Sequence, residues 1–402
     1  MPLKEKRWWN STVLAIGLAS LFSDWSHEMA TTLLPSFLIS LGGSAAVLGL
    51  IEGVADGISS FAKLGGGWYS DRLQRKKPLA IIGYFLTTAG TGALAICTHV
   101  WNVLLARVVA WFGRGIRTPV RKGLLTAASE PENYGKAFGL ERAMDTTGAI
   151  VGPATALWLL SVYSQNQRPI FLWTLVPGIA ALAAIAIFVK EKAVEAPRHR
   201  FLESLQMFPR DFRKFLYAVG IFGLGDFSHT LLILLATQQL SKVSSPAVAA
   251  KTAISLYIFH NVIYAMFSYI AGHMADRMDK RKLLAAGYFL AAVTSLFIIF
   301  SNSSVLSLGI VFGLAGLYVA IEEALEDSLT AEFLPAQVRG TGFGTLAFVN
   351  AIGDFASSVL IGLLWAAFGL WGFLYSTILF TIGGVMVVSL RKPTAEITDE
   401  LP

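Results

Sequence analysis

Apolar runs of about twenty residues recur from one end of this chain to the other, and that recurrence limits its fold more than any other feature. A helix rises 1.5 Å per residue, so a run of that length crosses the ~30 Å hydrocarbon core of a bilayer. Inside lipid the chain must satisfy its own backbone N–H and C=O groups, which leaves helices or a closed barrel. Ten-residue segments of alternating polarity, the mark of a barrel, are absent. Charged residues make up only 14% of the 402, against about a quarter in soluble domains. The expected fold is therefore an all-α, multi-pass membrane protein.

Twelve transmembrane helices are expected, over residues 11–38, 45–66, 79–98, 101–127, 137–161, 170–189, 215–238, 250–273, 283–300, 305–328, 341–365 and 370–390. The first follows "MPLKEKRWWN" without a small-residue cleavage site, so it reads as a retained span and not as a signal peptide. Of the 32 Lys and Arg residues, 24 fall in loops on one side of this arrangement. The other side holds only Arg168, Lys242 and Lys251, and Lys63, Arg107, Arg114, Arg117 and Arg142 lie within spans. The basic side is the cytoplasmic one, with both termini on it. The net charge of +6 thus reports topology, and no nucleic-acid partner is expected. Cys97 is the only cysteine, which rules out an internal disulfide.

The chain repeats itself. "GWYSDRLQRKK" (67–77) returns as "GHMADRMDKRK" (272–282), "SDWSH" (23–27) as "GDFSH" (225–229), and "GKAFG" (135–139) as "GTGFG" (340–344). Repeats in the same order, separated by an even number of spans, imply parallel halves related by an axis along the membrane normal. The expected organisation is a six-helix bundle over 1–189, a cytoplasmic linker over 190–214, a second six-helix bundle over 215–390 and a cytoplasmic tail over 391–402. The linker has room for a short interfacial helix that lays Phe201, Leu202 and Leu205 on lipid.

Those repeated loops resemble motif A of the major facilitator superfamily, between the second and third span of each half. Gly67, Asp71, Arg72, Lys76 and Lys77 match it, and so do Gly272, Asp276, Arg277, Arg281 and Lys282; Gln74 and Asp279 stand where the motif has glycine. "GLERAMDTTGAIVGP" resembles the antiporter motif C at Gly139, Gly148, Gly152 and Pro153, with Ala156 and Leu157 replacing its final glycines. Small residues at this spacing also serve plain helix packing. Arg107 resembles the arginine of motif B, without the Gln and Gly expected after it. The resemblance implies secondary transport of a small molecule, with export favoured over import.

An offset of 205 lays "GRGIRTPVRKG" (113–123) over "YVAIEEALEDS" (318–328), which sets Arg117 on Glu322, Arg121 on Glu326 and Lys122 on Asp327. Both sets have i, i+4 spacing and so share one helix face. At 1.5 Å per residue Arg117 lies ~24 Å into its span, in the cytoplasmic half. The expectation is a cytoplasmic gate in which Arg117 and Arg121 pair with Glu322 and Glu326 in the outward-facing state. It requires the fourth span to continue through Pro119 as a helix.

Asp24, His27 and Glu28 share one face near the middle of the first span, and Asp226 and His229 mirror them in the seventh. Ionisable groups there face the bundle interior, and chains of Asp, Glu and His build proton relays. Asp24 and Glu28 are expected to carry protons, with His27, Asp226 and His229 assisting. Trp25, Arg114, Phe227, His260, Asn261, Tyr264, Tyr318, Asn350 and Asp354 are expected to line a substrate cavity. Arg142 and Asp145 should form an internal pair, and Lys63 should neutralise Glu52 or Asp56.

An embedded enzyme fits poorly. "HEMAT" (27–31) has Thr31 where a zinc-protease helix needs its second His, and Ser26 and His27 point about 100° apart on a helix. Asp24, His27, Glu28, Asp226 and His229 could also ligate Fe, Ni or Co, so transport of a metal ion or chelate stays open. The expectation is a proton-coupled antiporter, monomeric, in the bacterial inner membrane. Its cargo would be a small amphiphilic or charged organic compound, with no cofactor.

Overall fold

A computed structural model describes residues 9–42, 45–164, 166–191, 193, 200–227 and 229–391. Every regular element among them is helical. In chain order they are α1 (Ser11–Ser40), α2 (Ala45–Asp71), α3 (Lys77–Ala93), α4 (Val100–Ala128), α5 (Tyr134–Val162), α6 (Arg168–Trp173), α7 (Leu175–Ala183) and α8 (Phe201–Gln206). Then follow α9 (Arg210–Gly223), α10 (His229–Leu240), α11 (Pro246–Ala275), α12 (Lys280–Ile299), α13 (Val305–Phe333), α14 (Arg339–Phe368) and α15 (Leu374–Val388). Six segments of the described residues are long and apolar enough to cross a membrane. Neither α1 nor α4 is among them, because buried charge and polar side chains interrupt their apolar runs.

Local chemistry sets several of these boundaries. Asn10 caps α1, its side-chain oxygen accepting from Thr12 N at 2.9 Å and Val13 N at 3.0 Å. Asp279 does the same for α12 by accepting from Arg281 N at 3.1 Å, which gives the residue that replaces the motif's glycine a structural task. The fourth span does continue through Pro119 as one helix, α4, so Arg114, Arg117, Arg121 and Lys122 lie on helix and not in a loop. The expected linker helix forms as α8, with Phe201 edge-on to Trp68 at 6.1 Å and Leu202 exposed. Residues 192 and 194–199 of the linker and 392–402 of the expected tail lie outside the described residues.

The seventh span departs from expectation. It is two helices, α9 and α10, parted at residues 224–227, whereas its counterpart α1 runs unbroken through Asp24. Gly220, Gly223 and Gly225 weaken helix here. Gly225 N turns back to Phe222 O at 2.8 Å and Asp226 N to Gly223 O at 3.1 Å, tightening the last turn before the chain leaves the helix. Ser357 Oγ of α14 then donates to Asp226 O, a carbonyl that the break releases.

The chain forms two compact units, Met1–Met207 with Ala336–Ala347, and Phe208–Pro335 with Phe348–Pro402. In the first, α1 packs on α5 and α7, and α4 on α2 and α3. The motif C glycines permit the α1–α5 approach: a Cβ on Gly148 would collide with Leu21 O, and one on Gly152 would meet Glu28 Cβ at 2.7 Å. In the second unit α13 packs on α11 and α12, and α15 on α9 and α12. Its aromatic centre stacks Phe222 on Tyr288 at 3.8 Å and on Phe380 at 4.6 Å.

Burial is inverted relative to a soluble protein. Arg107 and Arg117 are 1% and 2% exposed, while Trp101 and Phe61 are 71% and 69% exposed. An apolar solvent outside and polar work inside account for both facts.

Candidate functional site

In the first unit a column of charge runs along α4, held by α1, α2 and α5. Residues 107, 111, 114, 117 and 121 recur at three- and four-residue steps, so one face of α4 carries them all. Arg107 grips Glu52 of α2 through Nη2, 2.8 Å from Oε1 and 2.7 Å from Oε2. Arg114 Nη1 meets Asp24 Oδ1 at 2.8 Å. Trp111 lies between these arginines, each guanidinium 5.4 Å from its ring, and His27 packs edge-on against it at 4.9 Å. Arg121 sits lowest, with Glu141 Oε1 at 2.6 Å, Ser20 Oγ at 2.6 Å and Asp145 Oδ1 at 3.5 Å. Asp145 also receives Arg142 at 3.2 Å, the expected internal pair.

Arg117 is different. Its guanidinium lies 4.4 Å over the Tyr84 ring, and among the described residues its Nε and Nη1 have no hydrogen-bond partner. An unpaired arginine in hydrocarbon costs roughly 2.5–3.5 kcal/mol on insertion scales.

The second unit carries acids held by neutral groups. Asp226, in the break between α9 and α10, accepts from Tyr318 Oη at 3.1 Å. Glu326 accepts from Tyr288 Oη at 2.5 Å and from Asn350 Nδ2 at 2.9 Å. Tyr264 donates to Glu323 at 2.7 Å. His229 and His260 face each other with ring centroids 4.9 Å apart, and His260 Nδ1 lies 3.2 Å from Phe312 O. Asn261 is buried on α11 and Asp354 is exposed on α14.

These contacts bear on several of the expectations. Arg121 is committed to Glu141 and Asp145, and Glu326 to Tyr288 and Asn350, so each is satisfied within its own unit. Lys122 lies 6.0 Å from the Phe343 ring. Glu52 pairs with Arg107. The indole N–H of Trp25 donates to Thr155 at 3.1 Å, and Phe227 is buried edge-on against Phe373 at 5.0 Å. Among the described residues no group of three or more His, Cys, Asp or Glu is placed to hold a metal ion.

The two motif A loops also differ. Asp71 caps α14, accepting from Gly340 N at 2.8 Å, Thr341 N at 2.6 Å and Thr341 Oγ1 at 2.9 Å, with Lys76 Nζ at 3.0 Å. A Cβ on Gly67 would collide with Gly340 O. Arg72 stacks on Trp68 at 4.4 Å, and Lys77 Nζ donates to Val189 O at 2.8 Å. Glu191 closes the loop by accepting from Lys76 N at 2.6 Å and Lys77 N at 2.9 Å. In the second copy, downstream of Gly272, Asp276 lies 3.7 Å from Lys280, whose ammonium also pairs with Glu332. Arg281 pairs with Asp279 at 2.6 Å, while Arg277 and Lys282 are exposed.

Glu141, Ser20, Tyr84, Trp111 and Glu191 were not among the expected site residues. Glu141 had a readable signal, since it stands four residues before Asp145 on the same face of α5. The others are recognisable only from their partners.

The Major Facilitator Superfamily model matches residues 16–259 and 218–401. The chain belongs to that superfamily. It is a membrane transporter by family and not an enzyme. An uncharacterized MFS-type transporter of Methanocaldococcus jannaschii is 28% identical over 94% of both chains. Multidrug resistance protein MdtH of Photorhabdus laumondii is 25% identical over 79% of this chain and 77% of its own. Among solved structures, the human organic anion transporter MFSD10 covers 94% of this chain and 99% of its own, with a TM-score of 0.73 at 16% identity. The Escherichia coli fucose:proton symporter FucP covers 96% and 100%, with a TM-score of 0.71 at 16% identity. At that identity these two share the superfamily fold with this chain.

Proposed function

We propose that this superfamily member is a proton-coupled secondary transporter that exports a small amphiphilic or charged organic compound. In this reading twelve spans cross a bacterial inner membrane, with both termini and the basic loops cytoplasmic. The likeness to MdtH, a protein named for multidrug resistance, supports export.

The observation that carries proton coupling is the chemistry around Asp226. It sits in a break of the seventh span with a tyrosine hydroxyl as its hydrogen-bond donor, and Glu326 likewise has only hydroxyl and amide donors. Glu326 is buried and Asp226 half-buried, and a carboxylate withdrawn from water is costly unless a cation or a proton neutralises it. Asp24, by contrast, already has Arg114. The proton-carrying role therefore shifts from Asp24 towards Asp226 and Glu326, beside Glu28. Discontinuous helices are also where transporters bind their ions and substrates.

The gate reduces to one pair. Among the described residues Arg117 has the Tyr84 ring but no ion pair, and Glu322 is 7% exposed with no ion pair. In our reading they find each other in the alternate state of the transport cycle.

The test is purified protein in liposomes with an internal pH dye, challenged with a panel of organic cations, anions and metal chelates. A substrate gradient should move protons in the wild type. Asp226→Asn should keep substrate counterflow and lose proton movement. Counterflow without any proton movement in the wild type would overturn the coupling.

A further inference from the structure

Alongside the crossing of α2 and α4 lies a groove of about 410 Å³ that the charge column does not use. Ile58, Phe61, Gly65 and Tyr69 of α2, Leu79 of α3 and Phe112 of α4 line it. Its walls face outward, with Phe61, Tyr69 and Phe112 69%, 51% and 42% exposed. Two adjacent glycines shape it. Gly66 lets the backbones close, since a Cβ there would lie 2.9 Å from Ile116 Cα, whereas a Cβ on Gly65 would meet nothing within 4 Å. Gly65 therefore keeps the groove open and is not needed for contact.

Size, position and charge agree on an occupant. Ile58 to Tyr69 spans ~16 Å along the helix, about half of a ~30 Å hydrocarbon core. A volume of about 410 Å³ along that length suits an elongated apolar guest. Tyr69 and Leu79 bracket the loop that carries Arg72, Arg75, Lys76 and Lys77. Three of those cations are engaged, Arg72 on Trp68, Lys76 with Asp71 and Lys77 with Val189 O. Arg75 is exposed in that loop, between the lining residues Tyr69 and Leu79 in the chain.

We propose that this groove is a site for an anionic phospholipid of the leaflet that the basic loops face, one acyl chain between α2 and α4 and the head group on Arg75. Lipid tails are as apolar as the groove, so hydrophobic transfer gives no preference for one lipid over its neighbours. Selection comes from the fit of a chain into a concave wall and from the charge at its end.

The test titrates the full-length protein in mild detergent with phosphatidylglycerol or phosphatidylcholine of identical chains, read by native mass spectrometry. The wild type should retain its first phosphatidylglycerol about fivefold more strongly than phosphatidylcholine, the effect of one basic residue on an anionic lipid. Arg75→Gln should bring the two lipids to parity while chain binding persists. Gly65→Leu fills the groove and should abolish first-lipid retention for both. Phe61→Ala, which removes one exposed wall of the groove, should weaken both if Gly65→Leu does not fold. Equal binding of both lipids by the wild type would overturn the proposal. So would undiminished retention in Gly65→Leu or Phe61→Ala, or full displacement by the chain-free glycerophosphoglycerol head group.

Discussion

Asp71→Asn isolates the charge of one buried carboxylate while keeping its shape. Asp71 is 7% exposed and accepts three hydrogen bonds from the first residues of α14, with the Lys76 ammonium at 3.0 Å. Gly340 N and Thr341 N belong to the helix start, where no carbonyl of the helix itself can receive them. A hydrogen bond to a charged group contributes about 1.5–3 kcal/mol, against about 0.5–1.5 for a neutral one. Losing the charge from three bonds removes roughly 1 kcal/mol each, and the carboxylate's attraction to a helix N-terminus adds about 0.3–1 kcal/mol. Asparagine also presents an amide N–H₂ where one oxygen stood, so one of the donors loses its acceptor. The expected loss is about 3–4 kcal/mol, or ~6–16 °C in melting temperature at ~2–4 °C per kcal/mol. Thr341→Val, which removes only the hydroxyl bond, should cost about 1 kcal/mol. The assay is thermal unfolding of purified protein in detergent, followed by tryptophan fluorescence. If Asp71→Asn melts within a degree of the wild type, the cap does not hold α14 and the reasoning fails.

Arg117→Glu should abolish transport, and adding Glu322→Arg should restore part of it in the liposome assay; no recovery in the double variant would reject the reduced gate. Glu52→Gln leaves Arg107 without its anion. The cost should be about 1–3 kcal/mol of stability, below the ~3–5 kcal/mol of a fully buried pair because Glu52 is 31% exposed. An Arg107→Leu/Glu52→Leu double variant should melt above that single variant, since an apolar pair leaves no buried charge behind. Arg168 donates to Ala95 O at 2.8 Å and Cys97 O at 2.7 Å and stacks on Phe37 at 5.4 Å. Arg168→Gln should loosen that end of α3, raising the labelling rate of the buried Cys97 by a membrane-permeant thiol reagent severalfold.

Much of the architecture was legible because helices in lipid announce themselves by length and apolarity. The continuity of α4 through Pro119 and the Arg142–Asp145 pair followed from local spacing and were found as expected. Partners across helices were not legible in the same way. Spacing shows that Arg117 and Arg121 share a face, and symmetry suggested acids in the other half. Yet Arg121 had an acid available in α5, and a buried guanidinium takes whichever carboxylate its own packing brings within reach. The break at Asp226 was hidden for a related reason. Its glycines only weaken the helix, and the hydroxyl that donates to the released carbonyl comes from Ser357, 131 residues away.

The sequence by itself therefore determined that the chain crosses a membrane as helices, that its two halves are copies, and that charged side chains stand inside those helices. Each of these follows from periodicity and composition along the chain. Only the tertiary structure decided which charges are matched, which carboxylates are left to hydroxyl donors, and that Arg117 is left with a tyrosine ring. Those outcomes depend on distances between residues far apart in the chain, and electrostatic energy in a dry interior changes steeply over a few ångströms.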